Sequence, residues 1–335
     1  MKHVSWIFFA VSFGFFVPAS LFYFCFHIYK FSESPSFIYF VNHFNAASVA
    51  KTGSVELLFV GDIMMSREVE NSIYENQAGD FSKLFKKADW IKEADVSFGN
   101  LEGPVSDFGQ ETGNLYSFKF KPDALNALIG AGFGALSVAN NHAGDWGSDA
   151  FRENIFRLKN AAIVPVGGGM NKDEASGVKI IEKNGVKIGF LGFSDVGPEW
   201  FEAGENRPGI LIVKDDFAFL VKKAAKQADI LVVSFHFGEE YQKNSSERQK
   251  FLARATIDNG AKIVVGHHPH VVQEVESYNG GIIAYSLGNF IFDQNFSEET
   301  MEGLVLRVYV QNNEIIAIKQ NRVKLNEFFQ PKLAE

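Results

Sequence analysis

From Ser54 onward the chain alternates short, unbroken apolar runs with longer amphipathic stretches. The apolar runs are "VELLFV" (Val55–Val60), "VSFG" (Val96–Gly99), "GALSVA" (Gly134–Ala139), "VKIGFLGFS" (Val186–Ser194), "ILVVSF" (Ile230–Phe235), "KIVVG" (Lys262–Gly266) and "IIAYSLG" (Ile282–Gly288). They are short and several are rich in β-branched residues, so the pattern predicts buried strands. The stretches between them, "KPDALNALIGAG", "SDAFRENIFRLKN", "DDFAFLVKKAAKQA" and "SERQKFLARATIDNG", carry helix start and stop signals. Pro122 stands near one start with Gly130 or Gly132 as its stop, Ser or Asp caps stand at the other starts, and Gly260 marks another stop. Near the C-terminus "LVLRVYV" and "EIIAIKQ", joined by Gln311-Asn312-Asn313, predict a closing hairpin. Strands alternating with helices indicate α/β architecture. No linker interrupts residues 54–328, which are expected to form one domain.

The first fifty residues break the pattern. Val4–Tyr29 is aromatic-rich and holds no Asp, Glu, Lys or Arg. A helix needs about 20 apolar residues to cross a bilayer, whereas the apolar core of a cleaved leader is roughly 7–15 residues long. The nearest small-residue cleavage pattern ends at Ala50, well beyond the run. Residues 1–30 are therefore expected to be one uncleaved transmembrane helix and residues 31–53 a juxtamembrane connector. The remaining domain is then extracytoplasmic, on a single-pass protein of the cell membrane. A lone cysteine, Cys25, excludes a disulfide framework or a cysteine-rich metal site. The formal charge is −8 and the first fifty residues are slightly positive, so the body is acidic. It lacks the basic footprint of a nucleic-acid binder, and an anionic substrate needs local help such as metal ions.

In open α/β sheets, ligands bind outside the carboxyl ends of the strands. The residues that follow the apolar runs are Asp62; Asn100 and Glu102; Asn140, Asn141 and His142 with Asp145; Asp195; His236 with Glu239 and Glu240; His267, His268 and His270; and Asn289. Of the eight histidines, His3, His27 and His43 lie in the N-terminal segment, and all the others follow a strand run. Oxygen and imidazole donors suit divalent ions such as Mn, Zn, Fe or Mg. Two such ions about 3.5–4 Å apart clamp a phosphoryl group and generate a hydroxide nucleophile. Pro269 is expected to hold His268 extended, which puts His268 and His270 on one face and turns His267 elsewhere. The Asn141 carbonyl suits a hard cation. His142 can donate a proton or stabilise charge, and Asp145 either orients it or caps the next helix. Arg67, His267 and Glu239 are candidates for substrate contact. Competing motifs fail: there is no G-x-S-x-G elbow, and "GAGFGAL" lacks dinucleotide-binding spacing.

Taken in order, "FVGDIMMSR", "FGNLEGPVS", "FKFKPDALNALIGAGFGALSVANNHAGDWG", "GFLGFSD", "VVSFHFGEEY", "VVGHHPHVVQEVE" and "IAYSLGNFIFD" resemble the CapA, or PgsA, family of poly-γ-glutamate capsule biosynthesis proteins. That family belongs to the calcineurin-like metallophosphatase superfamily. The resemblance covers about residues 55–295 and implies a four-layer αββα sandwich with metals at the strand ends. It implies Asp62 as the first metal-binding aspartate, Asn100 or Glu102 at the bridging position and Asn141 as the amide ligand. His142 takes the catalytic place, and His236, His268 and His270 are the remaining imidazole ligands. Superfamily phosphatases carry D-x-H at the first motif; here the third position is Met64, so one imidazole is missing. The implied function is synthesis, release or export of an anionic capsule polymer by a metal-dependent hydrolase or transferase, in company with membrane synthase subunits. A non-catalytic polymer-binding scaffold and a phosphoesterase acting on other phosphodiesters are the alternatives.

Overall fold

The computed structural model describes residues 54–334. The expected membrane anchor (residues 1–30) and the whole expected connector (31–53) lie outside them. Among the described residues no helix is long and apolar enough to cross a membrane.

The strands, in chain order, are β1 (Val55–Ile63), β2 (Val96–Leu101), β3 (Ala135–Ser137), β4 (Val164–Val166), β5 (Gly168–Gly169), β6 (Lys179–Lys183), β7 (Val186–Ser194) and β8 (Gly209–Ile210). They continue with β9 (Ile230–His236), β10 (Ile263–His267), β11 (Val275–Tyr278), β12 (Gly281–Ala284), β13 (Asn289–Ile291), β14 (Glu302–Gln311), β15 (Glu314–Leu325) and β16 (Pro331–Leu333). The helices are α1 (Arg67–Asn76), α2 (Pro122–Ala131), α3 (Gly147–Asn160), α4 (Lys172–Ser176), α5 (Phe217–Ala225) and α6 (Glu247–Asp258). The expected signals set several of their ends. Pro122 opens α2, where its missing N–H costs nothing, and Gly132 at φ 89° closes it. Ser246 and Gln249 form a reciprocal capping box on α6.

One sheet runs β16-β15-β14-β1-β2-β3-β4, with β13 paired to the end of β1; a second runs β11-β12-β10-β9-β7-β6, and β5 pairs with β8. The expected C-terminal hairpin is β14–β15. β16 extends the domain past the expected limit of 328, because it pairs with β15 through Val323, Lys324 and Leu325. Alternation along β1 shows how the layers are built. Leu57 and Phe59 point between the two sheets, where they join Phe98, Phe190, Val232 and Val265. Leu58 and Val60 point the other way, into a core shared with Val69 of α1, Leu128 of α2 and Ile155 of α3. The outer face of the second sheet is covered by Val221 of α5 and Leu252 of α6. The result is a mixed α/β sandwich of two sheets with helices outside both.

Parallel pairing aligns the strand ends. Asp62 lies opposite both Asn100 and Asn289, and His236 lies opposite His267. Both sheets thus end on the same kind of residue at their carboxyl edges.

Candidate metal centre

Asp62, expected just beyond β1, is inside it and fully buried. Asn100 Nδ2 donates to Asp62 Oδ1 at 2.8 Å and to Glu102 Oε2 at 3.2 Å. Asn100 Oδ1 accepts from Asn140 Nδ2 at 3.1 Å. This corrects the expectation of Asn100 as a ligand: its nitrogen, not its oxygen, faces the carboxylates, so it supports them. Glu102 is the carboxylate that faces the imidazoles. Its Oε1 lies 3.8 Å from His142 Nε2 and 3.7 Å from His270 Nε2, yet is buried without a hydrogen-bond partner.

His236 Nε2 lies 2.8 Å from Asn141 Oδ1, which brings two further donors together. His268 and His270 do reach one site, with ring centroids 6.0 Å apart. The expected extended backbone is not how they do so. Their φ angles are 98° and 57°, so the chain turns through the left-handed region at both residues. That region costs a non-glycine residue energy and persists where surrounding structure enforces it. Here the His268 N–H donates to Asp62 Oδ2 at 3.2 Å, and His270 Nδ1 lies 3.0 Å from Asn289 Oδ1. His268 Nδ1 is buried and unpartnered. Donor atoms of Asp62, Glu102 and His236 lie within 4.8 Å of one another, and so do those of Glu240, His268 and His270.

One expected substrate contact needs correction. His267 is fully buried, with Nε2 3.3 Å from the Val60 carbonyl and Nδ1 3.4 Å from Ser234 Oγ. It braces the two sheets and meets no substrate. Glu239 is exposed, and its neighbour Glu240 is the one that joins the histidines. Arg67 is well placed. It pairs with Asp293 at 3.0 Å, and its guanidinium lies 5.3 and 5.4 Å from the rings of Tyr116 and Phe118. Phe118 in turn packs 3.9 Å from the His142 ring. The two readings of Asp145 also separate: its Oδ2 lies 2.7 Å from His142 Nδ1 and accepts from the Phe118 N–H, and Oδ1 accepts from Asn114. It orients His142, and α3 has no side-chain cap.

Asn140, Asn289 and Glu240 stand among the strand-end residues, but the sequence assigns them no role. Asn140 holds Asn100 and the Leu101 carbonyl, and its Oδ1 accepts the His142 N–H. Asp195, also at a strand end, is instead held by Arg248 at 2.6 and 2.5 Å.

Burial pushes the Asp62 carboxyl up, but the His270 hydrogen bond and nearby imidazoles outweigh it and hold it below its usual range. Burial and the Asp62 charge push Glu102 well above its usual range. Burial, then neighbouring imidazoles, lowers His236 strongly and lowers His268 to about 3. Burial also opposes the charge on His270, but Glu102 and Asp62 win and raise it to about 9. Without metal the cluster therefore holds a proton at His270. A raised folded-state pKa gives stability that is fully present below the unfolded value, about 6.5, and lost as pH rises through about 9. Calorimetry in chelator is expected to show the melting temperature falling between pH 6.5 and 9, with a shallower fall in His270→Gln. Metal must displace this proton, so affinity should rise over the same window. A pH-independent affinity would remove His270 from the ligand set.

The donor set fits a divalent cation. Two buried donor atoms, Glu102 Oε1 and His268 Nδ1, lack partners, and each orphan costs about 1–3 kcal/mol unless something completes it. Hard carboxylate and borderline imidazole donors match Mn, Fe, Zn or Mg.

Fold and site together define an α/β sandwich with a cluster of metal-ligand residues at the strand ends. The chain belongs to the bacterial capsule synthesis protein family PGA_cap, whose model matches residues 56–294. It is 37% identical over 272 residues to the PGA biosynthesis protein CapA of Bacillus subtilis, covering 78% of this chain and 70% of that one. It is 35% identical over 269 residues to the capsule biosynthesis protein CapA of Bacillus anthracis, covering 77% of this chain and 64% of that relative. A hypothetical protein from Thermus thermophilus shares the fold, with a TM-score of 0.50 at 12% identity over 81% of this chain and 99% of that one.

Proposed function

We propose that this protein acts at the cell membrane, on its outer side, in the synthesis, release or export of an anionic capsule polymer such as poly-γ-glutamate. Its strand-end cluster binds divalent metal and carries out hydrolysis or transfer on a phosphate, ester or amide linkage. The observation that carries the chemical part is the pair of orphaned donors, Glu102 Oε1 and His268 Nδ1, buried among Asp62, His236 and His270. The names of the Bacillus relatives, a PGA biosynthesis protein and a capsule biosynthesis protein, support the polymer. The uncharged Val4–Tyr29 run supports the membrane, and with it a place beside membrane synthase subunits.

In this reading Asp62, Glu102, Asn141, His236, His268 and His270 hold the metal, which when bound polarises the substrate oxygen and acidifies water. The chain's own groups supply the rest. Asp145 accepts the Nδ1–H of His142 and fixes the ring, leaving Nε2 toward Glu102 to give or take a proton. Phe118 covers the ring and keeps water from that side. Arg67, at the same rim, meets an anionic group of the substrate.

In cells lacking the chain, the wild-type protein is expected to restore surface polymer. His142→Ala should keep its metal and lose roughly 10²–10⁴-fold in turnover, leaving polymer near background. Full restoration by His142→Ala makes the protein a scaffold instead. Unchanged polymer in cells without the chain, with phosphodiester turnover by the purified protein, points to another substrate.

A further inference from the structure

The first motif lacks an imidazole at Met64, and the structure shows what Met64 does instead. It is completely buried, and its Sδ accepts from both the N–H and the hydroxyl of Ser66 at 3.2 Å. It packs in the helix-side core with Met65 and Val69. A replacement donor reaches the cluster from elsewhere. After His236 the chain turns at Gly238, φ 97°, where any Cβ would lie 2.6 Å from the Gln249 side chain. It turns again at Tyr241, φ 64°, whose N–H donates to the Pro269 carbonyl at 2.8 Å. The two turns fasten the loop to the 268–270 segment and hold the Glu240 carboxylate within 4.8 Å of donor atoms of His268 and His270.

We infer that Glu240 supplies the ligand that Met64 does not, giving a second cation position made of Glu240, His268 and His270. The inference rests on the metal-dependent reading above. Three further observations carry it. His268 Nδ1 is buried with no partner. His270 Nδ1 is occupied by Asn289, which leaves its Nε2 as the free donor; ligating histidines are commonly fixed through their other nitrogen in this way. Glu102 Oε1, 3.7 Å from His270 Nε2, lies between this set and the inner set of Asp62, Glu102 and His236, where it can serve both. A carboxylate in place of an imidazole lowers the charge of the outer position by one, which favours Mn²⁺ or Mg²⁺ over softer ions.

Titrating Mn²⁺ into the purified full chain by calorimetry, with metal content read in parallel, tests this. Wild type is expected to take up two ions. Glu240→Gln alters an exposed side chain, so the fold should hold; one site should remain and the other should weaken at least tenfold. Glu240→His, which returns an imidazole to the set, should recover the second ion. Two ions bound by Glu240→Gln with unchanged affinities would overturn the inference and leave the metal-dependent reading standing. No Mn²⁺ bound by wild type would overturn both.

Discussion

Full-length protein carrying His268→Ala and His270→Ala together is expected to lose the outer metal ion and the share of the rise in melting temperature that this ion confers on the wild type. At free metal 100-fold above Kd, binding stabilises the folded state by about 2.7 kcal/mol. In a domain of this size each kcal/mol moves the melting temperature by about 2 °C, so wild type should rise by about 5 °C. The double variant should respond less, because both imidazoles at the mouth are gone and only the inner set of Asp62, Glu102 and His236 remains. The metal-free variant should also be weaker than metal-free wild type. His270 lies 3.4 Å from Asp62 and 3.7 Å from Glu102, both carboxylates being fully buried. Removing one partner of a buried charge pair costs about 3–5 kcal/mol. Single His268→Gln and His270→Gln variants keep volume and separate lost metal from lost fold. Elemental analysis after gel filtration reads the first and calorimetry the second. Wild-type metal content in the double variant would remove both histidines from the ligand set.

The main ligand candidates were legible because apolar runs and the chemistry at their ends are local patterns. A buried strand cannot hide Asp62 or His236 among its own residues, nor His268 just beyond its end, so a polar group there stands out. What was not legible depended on three-dimensional partners. Asn289 looks like a turn residue after Gly288; only the pairing of β13 with β1 sets it beside Asp62 and under His270. Asn140 reads as the weaker half of an Asn-Asn pair, yet it locks Asn100. Choosing between Glu239 and Glu240 needs the turns at Gly238 and Tyr241, and the positive φ at Tyr241 has no strong sequence mark. His268 and His270 reach one site, as the His-His-Pro-His run implies, but not through an extended backbone. Two-residue alternation does not bring them together; they converge because both sit at positive φ. His267, the third member, was rightly set apart, but its work is to join the sheets through Val60 and Ser234.

Gly61→Ala is expected to destabilise the protein by at least about 3 kcal/mol, toward the upper end of what overpacking costs, and to weaken metal binding with it. The glycine beside Asp62 lies just past the apolar run Val55–Val60 but within β1. A Cβ there would sit 1.9 Å from the Gly288 carbonyl oxygen and 3.0 Å from that of Leu287. Neither oxygen is free to move. Gly288 O accepts the Asp62 N–H at 2.9 Å, and Leu287 O accepts the Leu304 N–H at 2.8 Å. Relief of the clash must therefore part β1 from the 287–289 segment, which breaks the alignment of Asp62 with Asn289. Gly130→Ala is the matched control. It lies in α2, and a Cβ there meets nothing within 4 Å, so alanine should stabilise by about 0.4–1 kcal/mol. Urea unfolding of the two variants, followed by Mn²⁺ titration of whatever Gly61→Ala remains folded, measures both effects. If Gly61→Ala unfolds at the same urea concentration as wild type, β1 can slide past the 287–289 segment, and the pairing of Asp62 with Asn289 is not what holds the cluster in register.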